Sequence, residues 1–269
     1  LKLHGVKTFA DGSPMSRTAF FRDPYLLPGP AGETPWRGEP TFPLETFQGM
    51  FKTAYDNGLP LFIHANGDEA LDMLLHAHEH AAGDDPCRPR GTTVIHGQFV
   101  RPDQLEKFVR YNINVSFYTE HTFFFADAHL TYLGPERTQS CSPMKTALAM
   151  GVRCSNHTDF CVLPIDQMFT IWTAVNRISR TGKVIGPEER VTPLQALRAI
   201  TIEAAHHYGE ESSKGSIEVG KLADLTVLSA NPLKVDPLTI KDITIVGTIK
   251  EGKPIYSSAG AHWLEPAVG

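Results

Sequence analysis

The chain has 269 residues, of which 41% are apolar and 20% are charged, and its formal net charge is −5 at pH 7. These values are typical of a soluble globular protein and exclude the basic surface that binds nucleic acid or anionic lipid. No apolar run approaches the roughly 20 residues that span a membrane. The 4 cysteines form no C-x-x-C pair, so we expect reduced thiols and a cytoplasmic protein.

Strand and helix patterns alternate through the first 214 residues. Apolar runs predict strands at 5–10, 61–64, 92–96, 112–117 and 152–155. Helical spacing and end signals predict helices at 44–57, 68–82, from 102 onwards, at 143–150, at 166–178 and from 192 onwards. Residues 14–43 and 118–142 are predicted to be long loops, which usually serve as lids or binding loops.

The pattern changes after Gly209. A turn-rich segment at 215–224 leads into short predicted strands at 225–228, 243–249 and 254–256. We therefore divide the chain into an α/β part, residues 1–214, and a small β module, residues 215–269. The α/β part has about five strand–helix units, whereas a closed barrel of this kind needs eight strands. Either strands are missed, or the chain belongs to a larger protein or pairs its open sheet edges in a homo-oligomer.

Three of the predicted strands lead into side chains that bind metals. The strands at 61–64 and 92–96 end on His64 and His96, and Asp159 follows the strand at 152–155. The carboxyl ends of parallel strands lie at one face of a barrel, where enzymes place their working residues. Two imidazoles and a carboxylate suit Zn²⁺, and a carboxylate beside a metal-activated water is a natural general base. The alternative is that each histidine is an ordinary core or loop residue.

Several short motifs occur in the order seen in one enzyme superfamily. They are VKTFADGS at 6–13, HANGD at 64–68, VIHGQ at 94–98, HTD at 157–159 and GSIEVGKLADL at 215–225. In this order they resemble the metal-dependent amidohydrolases, most closely the branch that includes the N-substituted formamide deformylases.

The resemblance implies the C-terminal part of a (β/α)8 TIM-like barrel, about strands 4–8, with part of a small β-sandwich domain. It implies hydrolysis of an amide-type C–N bond of a small-molecule amide by metal-activated water. His64, His96 and Asp159 match metal ligands, and Asp159 also matches the catalytic proton acceptor. Lys7 matches a lysine that bridges two metals when it is carboxylated. The expected cofactor is one or two divalent ions, zinc first, with iron or manganese as alternatives.

Other positions carry weaker expectations. His121, Asp11 and Arg137 are candidates for substrate binding, while Asp68 is expected to cap its helix. The first-strand H-x-H pair of the family is not found ahead of Lys7, so the site is expected to be incomplete. The H-x-H within residues 76–80 is predicted to lie on a solvated helix surface. Two alternatives follow: a fragment without a working metal site, or a related hydrolase of a cyclic amide, an aminated ring or a phosphoester.

Overall fold

The computed structural model of the protein describes residues 4–258, and its first layer is a parallel sheet. The sheet order is β1-β2-β3-β4-β5, formed by Val6–Phe9, Leu61–Ala65, Thr93–His96, Asn114–Phe117 and Cys154–Asn156. The order in the sheet equals the order in the chain, which is the topology of a strand–helix barrel. Because β1 and β5 each pair with a single strand between residues 4 and 258, the sheet described is an open part of such a barrel. The predicted five strands are confirmed.

Helices connect the strands and cover the sheet. They are α1 Leu44–Asp56, α2 Asp68–Ala82, α3 Pro102–Tyr111, α4 His121–Phe124, α5 Ala126–Tyr132, α6 Gly134–Gln139, α7 Met144–Met150, α8 Gln167–Asn176, α9 Pro193–Ala199 and α10 Ile202–His207. One apolar cluster joins both layers, with Ile63, Val94 and Val115 from the strands and Phe47 and Phe108 from the helices all fully buried. Strands covered in this way read as continuous apolar runs, which is why the sequence revealed them.

The segment 118–142 is not the loop that the sequence predicted, since α4, α5 and α6 occupy it. Helices of four to seven residues are too short to be stable alone or to show a clear apolar period. Tertiary contacts stabilise this segment: the ring of Phe123 lies 5.0 Å from that of Phe169 and 5.8 Å from that of Trp172, both on α8.

Two residues of α2 differ from the prediction. His76 and His80 are exposed as predicted, but His78 is fully buried, with Nδ1 2.7 Å from the Tyr55 hydroxyl and Nε2 2.9 Å from the Pro86 carbonyl. Because α2 packs against both α1 and α3, it buries a wider face than a surface helix does. Asp68 does not cap the helix; Gly67 is the N-cap residue, and the Asp68 carboxylate accepts hydrogen bonds from Arg22 and Arg101 instead.

The second sheet is antiparallel, in the order β6-β7-β8, with strands Leu225–Leu228, Ile245–Lys250 and Lys253–Ser257. The segment Pro237–Asp242, a 3-10 helix, packs on α8 through the buried Ile240 and a 3.0 Å hydrogen bond from the Trp172 indole to the Leu238 carbonyl. The division at residue 214 stays a prediction, and residues 259–269 of the predicted module lie outside the described part. Between residues 4 and 258, no helix is long and apolar enough to cross a membrane.

Candidate metal centre

The carboxyl ends of β2 and β3 bring His64 and His96 together. The strands pair in register, with Ala65 beside His96. Nδ1 of His64 lies 3.1 Å from Nε2 of His96, and the rings meet edge to face at a centroid distance of 4.6 Å. Two nitrogen ligands of one tetrahedral zinc ion stand about 3.4 Å apart. The separation of this pair therefore suits either a shared hydrogen bond or a shared ion.

Asp159 reaches the same place from the end of β5, together with a histidine that the sequence analysis did not assign as a ligand. His96, His157 and Asp159 each offer a donor atom, and these atoms all lie within 4.8 Å of one another. Nε2 of His157 is 3.2 Å from Nδ1 of His96. His96 thus stands between His64 on one side and His157 with Asp159 on the other. The available signal for His157 was its place two residues before Asp159 at the same strand end.

The backbone at two of these positions is strained. His96 has φ 77° and Asp159 has φ 52°, both in the left-handed region that residues other than glycine rarely adopt. Gly97 follows with φ 54°, and a Cβ there would lie 2.9 Å from a methyl carbon of Val115. Such conformations cost about 1–3 kcal/mol each and cluster at functional sites. The strain therefore marks the same strand ends as the donor atoms do.

The histidines of this group are neutral at pH 7. Burial lowers the pKa of His64, holds the pKa of His96 well below its usual value and lowers the pKa of His157 to about 3. A neutral imidazole has one N–H and one lone pair, and metals bind through the lone pair. The donor set, two or three neutral imidazoles and a carboxylate, fits a divalent transition metal ion.

Lys7 lies on β1 in register with Phe62 of β2, and it is exposed. Its ammonium is 5.4 Å from the centroid of the Phe9 ring, and within residues 4–258 no carboxylate stands at salt-bridge distance from it. Its positive charge contributes to the lowered pKa of His64, His96 and His157, which indicates that it faces the same group. Carboxylation would replace that positive charge by a negative one.

His121 begins α4 just beyond β4, and its buried ring lies 5.6 Å from that of His96 and 4.4 Å from that of Tyr118. Nδ1 of His121 and the Tyr118 hydroxyl are both buried without a hydrogen-bond partner among the described residues. Buried polar atoms are nearly always paired, so these two have room for a polar group that the protein itself does not supply.

Asp11 is close to the histidines, but its oxygens are already engaged. Its fully buried carboxyl accepts the backbone N–H groups of Asn66 at 3.0 Å, Gly67 at 2.8 Å and Phe20 at 2.9 Å. Burial raises the pKa of Asp11 to about 7. An oxygen of Asp11 lies 3.8 Å from Nε2 of His64. The carboxyl thus ties the segment after β1 to the turn after β2.

Arg137 uses its donors on backbone carbonyls. It donates to Asp23 at 3.0 Å, to Pro24 at 2.6 Å and to Leu133 at 3.1 Å, and its guanidinium lies over the Phe21 ring. These contacts hold the segment after β1 against the short helices. None of them involves the histidine group.

The comparisons with known proteins decide the family. Residues 1–256 match the model of the Amidohydrolase family. The chain belongs to this family. Among the relatives of this amidohydrolase chain, Protein LONG AFTER FAR-RED 3 of Arabidopsis thaliana is 33% identical over 261 residues, covering 95% of the chain and 43% of that protein. N-substituted formamide deformylase of Arthrobacter pascens is 28% identical over 208 residues, covering 76% and 38%.

A solved structure confirms the fold. An uncharacterized metal-dependent hydrolase from Pyrococcus horikoshii OT3 superposes with a TM-score of 0.74 at 27% identity, covering 87% of this amidohydrolase chain and 46% of that protein. The chain spans less than half the length of each of these three proteins. The predicted family and the partial barrel with a small sheet are both confirmed.

Proposed function

We propose that this chain carries the metal-binding face of a hydrolase that cleaves an amide-type C–N bond with metal-activated water. The observation that carries the proposal is the meeting of His64, His96, His157 and Asp159 at the carboxyl ends of three parallel strands. Membership of the Amidohydrolase family supports the same chemistry.

The ligands that we assign are His64, His96 and Asp159, with Lys7 as a further ligand when it is carboxylated. Zinc is our first choice because imidazole and carboxylate donors suit it, and iron and manganese are the alternatives. Donor atoms of His96 and Asp159 lie within 4.8 Å of each other and of one from His157, while His64 contacts His96 from the other side; a second ion requires the carboxylated lysine. A bound ion supplies Lewis-acid polarisation of the substrate carbonyl and of water.

Protein side chains move the proton and orient the substrate in this proposal. Asp159 takes the proton from the attacking water and returns it to the leaving nitrogen, which is general base and then general acid catalysis. The Tyr118 hydroxyl stays protonated because burial raises its pKa, so it can donate to the substrate. Nδ1 of His121 offers a second polar contact beside it.

The substrate class that we favour is N-substituted formamides with an apolar substituent. The ring of Phe125 lies 5.8 Å from that of His121 and 6.4 Å from that of Tyr118, so it forms an apolar wall next to the two unpartnered polar atoms. One relative bears the name N-substituted formamide deformylase, which supports the class.

The test is formate release from an aromatic N-substituted formamide by the zinc-loaded chain, with Asp159→Asn as the matched inactive variant. We expect formate from the unaltered chain and none from the variant. Zinc binding without formate release would reject the substrate class. Failure to bind zinc, iron or manganese would reject the proposal that this chain is catalytic.

A second candidate is that the chain acts only when its sheet edges are covered by another copy. The edge strand β1 exposes Val6 by 38% and Phe9 by 46%, and open apolar edges favour association. Light scattering after size exclusion, combined with zinc analysis, tests this candidate. A monomer that binds zinc stoichiometrically would reject it.

A further inference from the structure

A line of buried polar side chains leads away from the candidate metal centre into the sheet. Nδ1 of His157 lies 2.9 Å from the Ser116 hydroxyl on β4, which lies 2.9 Å from the Ser155 hydroxyl on β5. The Ser155 hydroxyl in turn lies 3.1 Å from Nδ1 of His207 at the end of α10. Ser116 and Ser155 are paired in the sheet register, so the strands themselves align the two hydroxyls.

The hydrogen bonds give this line a direction. Ser155 donates to Ser116, and because a hydroxyl has a single proton, the proton of Ser116 is left for Nδ1 of His157. His157 then carries its own proton on Nε2 and donates it to Nδ1 of His96. By the same logic Ser155 accepts from Nδ1 of His207.

Each neutral imidazole in the line carries one proton, which is bound to either Nδ1 or Nε2. Burial lowers the pKa of His207 to about 4, so its ring is neutral at pH 7. Serine hydroxyls donate as well as accept, so the line runs in the opposite direction once the Ser116 hydroxyl turns to donate to Ser155. His64 can also adopt either tautomer. Its Nε2 lies 3.1 Å from the Gly12 carbonyl, which accepts a hydrogen bond, and 3.0 Å from the Asn66 side-chain amide nitrogen, which donates one.

We propose that the hydrogen bonds of Ser116, Ser155 and His207 link the binding of an ion at the centre to the position of the proton on the His207 ring. We call these three residues the tautomer clamp, because they hold His157 in one tautomer or the other. The inference rests on the proposed function, because it requires an ion at the centre. If Nδ1 of His64 and Nε2 of His96 held an ion, His96 would keep its proton on Nδ1 and would need a lone pair on Nε2 of His157. If His96 and His157 held it, the same lone pair would be needed directly. In both arrangements His157 must carry its proton on Nδ1, and each hydrogen bond between His157 and His207 then exchanges its donor and acceptor.

The proton balance of the reversal is closed. Each hydroxyl passes on one proton and receives one, and Nδ1 of His207 becomes an acceptor. One proton is released at the centre and one is taken up on Nε2 of His207, the ring nitrogen that does not contact Ser155. His207 borders a cavity of about 650 Å³ that is also lined by His4 and Arg153, while its Nε2 atom is itself buried. In this role His157 and the clamp residues position the ligands and do not react.

The test uses nitrogen-15 NMR of the histidine rings in the full chain, without metal and with Zn²⁺ added. Without metal we expect the proton on Nε2 of His157 and on Nδ1 of His207, and with zinc we expect both to change to the other nitrogen. In Ser155→Ala zinc should still bind while His207 no longer responds. Ser155→Thr, which keeps a hydroxyl, should restore the response.

Thr93→Val is the matched control, because Thr93 lies on the neighbouring strand β3 and its buried hydroxyl has no hydrogen-bond partner in the part of the chain that the structure describes. It should respond to zinc as the unaltered chain does, and it also shows whether loss of a buried hydroxyl by itself disturbs the fold. An unchanged His207 in the zinc-bound chain, or the same change in Ser155→Ala, would overturn the clamp while leaving the proposed function intact. If zinc shifts no resonance of His64 or His96, the proposed function fails. The spectra recorded without metal then still test the clamp. If His157 has the same tautomer in Ser155→Ala as in the unaltered chain, the clamp is rejected.

Discussion

His64 and His96 end neighbouring parallel strands, with Nδ1 of the first 3.1 Å from Nε2 of the second. Two lone pairs repel at this distance, so the contact needs either a proton or a cation between the nitrogens. Burial keeps both rings neutral by lowering the pKa of each. The contact is therefore the most direct place to test for a metal.

Substitution of either histidine should remove bound zinc. We expect His64→Ala and His96→Ala to lose at least tenfold in zinc affinity, because each removes one nitrogen ligand. Elemental mass spectrometry and competition with a chelating dye measure this effect. His80→Ala, at an exposed position of α2, is the control. Full zinc retention in His96→Ala would contradict the ligand assignment.

Asp159→Asn should reduce the turnover number of the zinc-loaded chain by about 10²–10⁴, the usual contribution of a general base. The Michaelis constant should change much less, because the amide side chain keeps the shape of the site. Steady-state kinetics on the zinc-loaded fraction measure both. Asp56→Asn, at an exposed ion pair with Lys52, should leave turnover unchanged. A variant as active as the unaltered chain would exclude Asp159 as the base.

Zinc binding should depend on bicarbonate through Lys7. If Lys7 is carboxylated, added bicarbonate increases zinc affinity, because a negative ligand replaces a positive charge beside His64 and His157. Lys7→Ala should abolish this dependence, whereas Lys52→Ala should preserve it. Titration with zinc at fixed pH, with and without bicarbonate, is the measurement. Equal bicarbonate dependence in both variants would show that Lys7 is not the modified group.

Arg177→Met should destabilise the fold by about 3 kcal/mol. The guanidinium is fully buried and donates to the carbonyls of Ile185 at 2.7 Å, Ser142 at 3.0 Å and Cys141 at 2.5 Å. Methionine fills similar space but leaves three buried acceptors without donors. Urea unfolding measures the change, with the exposed Arg180→Met expected to stay within about 0.5 kcal/mol of the unaltered chain. A neutral effect of Arg177→Met would mean that water replaces the lost donors.

Stability should rise between pH 4.5 and 6.5. Burial lowers the pKa of His129 to about 4, with His157 and His207 shifted in the same direction, so the unfolded chain binds more protons as the pH falls below 6.5. Asp11 and Glu120 act oppositely, because burial raises the pKa of each to about 7 and their stabilisation is lost as the pH rises towards 7.

More histidines than carboxyls are shifted, so the histidine effect is the larger one. Asp11→Asn removes one carboxyl whose titration opposes the histidine effect. The free energy of unfolding should therefore rise more steeply with pH, by up to about 1.4 kcal/mol per pH unit. Urea unfolding at several pH values measures both slopes. A stability that is flat or falling over this range would contradict the assignment of neutral buried histidines.

Some site residues can be predicted from the sequence because they follow a local pattern, and others cannot because they meet only through tertiary contacts. His64 and His96 stand at the ends of apolar runs, and a run that is buried on both faces leaves a pattern that any single sequence shows. Ser116, Ser155 and His207 belong to strands and a helix that are far apart in the chain, and no local pattern predicts that their polar atoms meet. The same holds for His78, whose burial depends on helices packing on both sides of α2.

The sequence by itself determined the family, the alternation of strands and helices, and the three strand ends that carry His64, His96 and Asp159, because these depend on residue types and on spacing along the chain. Only the tertiary structure decided that His157 stands beside His96, that Asp11 and Arg137 bind backbone groups, and that segment 118–142 is helical. These outcomes depend on contacts between distant segments, where burial and hydrogen-bond geometry, not local propensity, set the free energy.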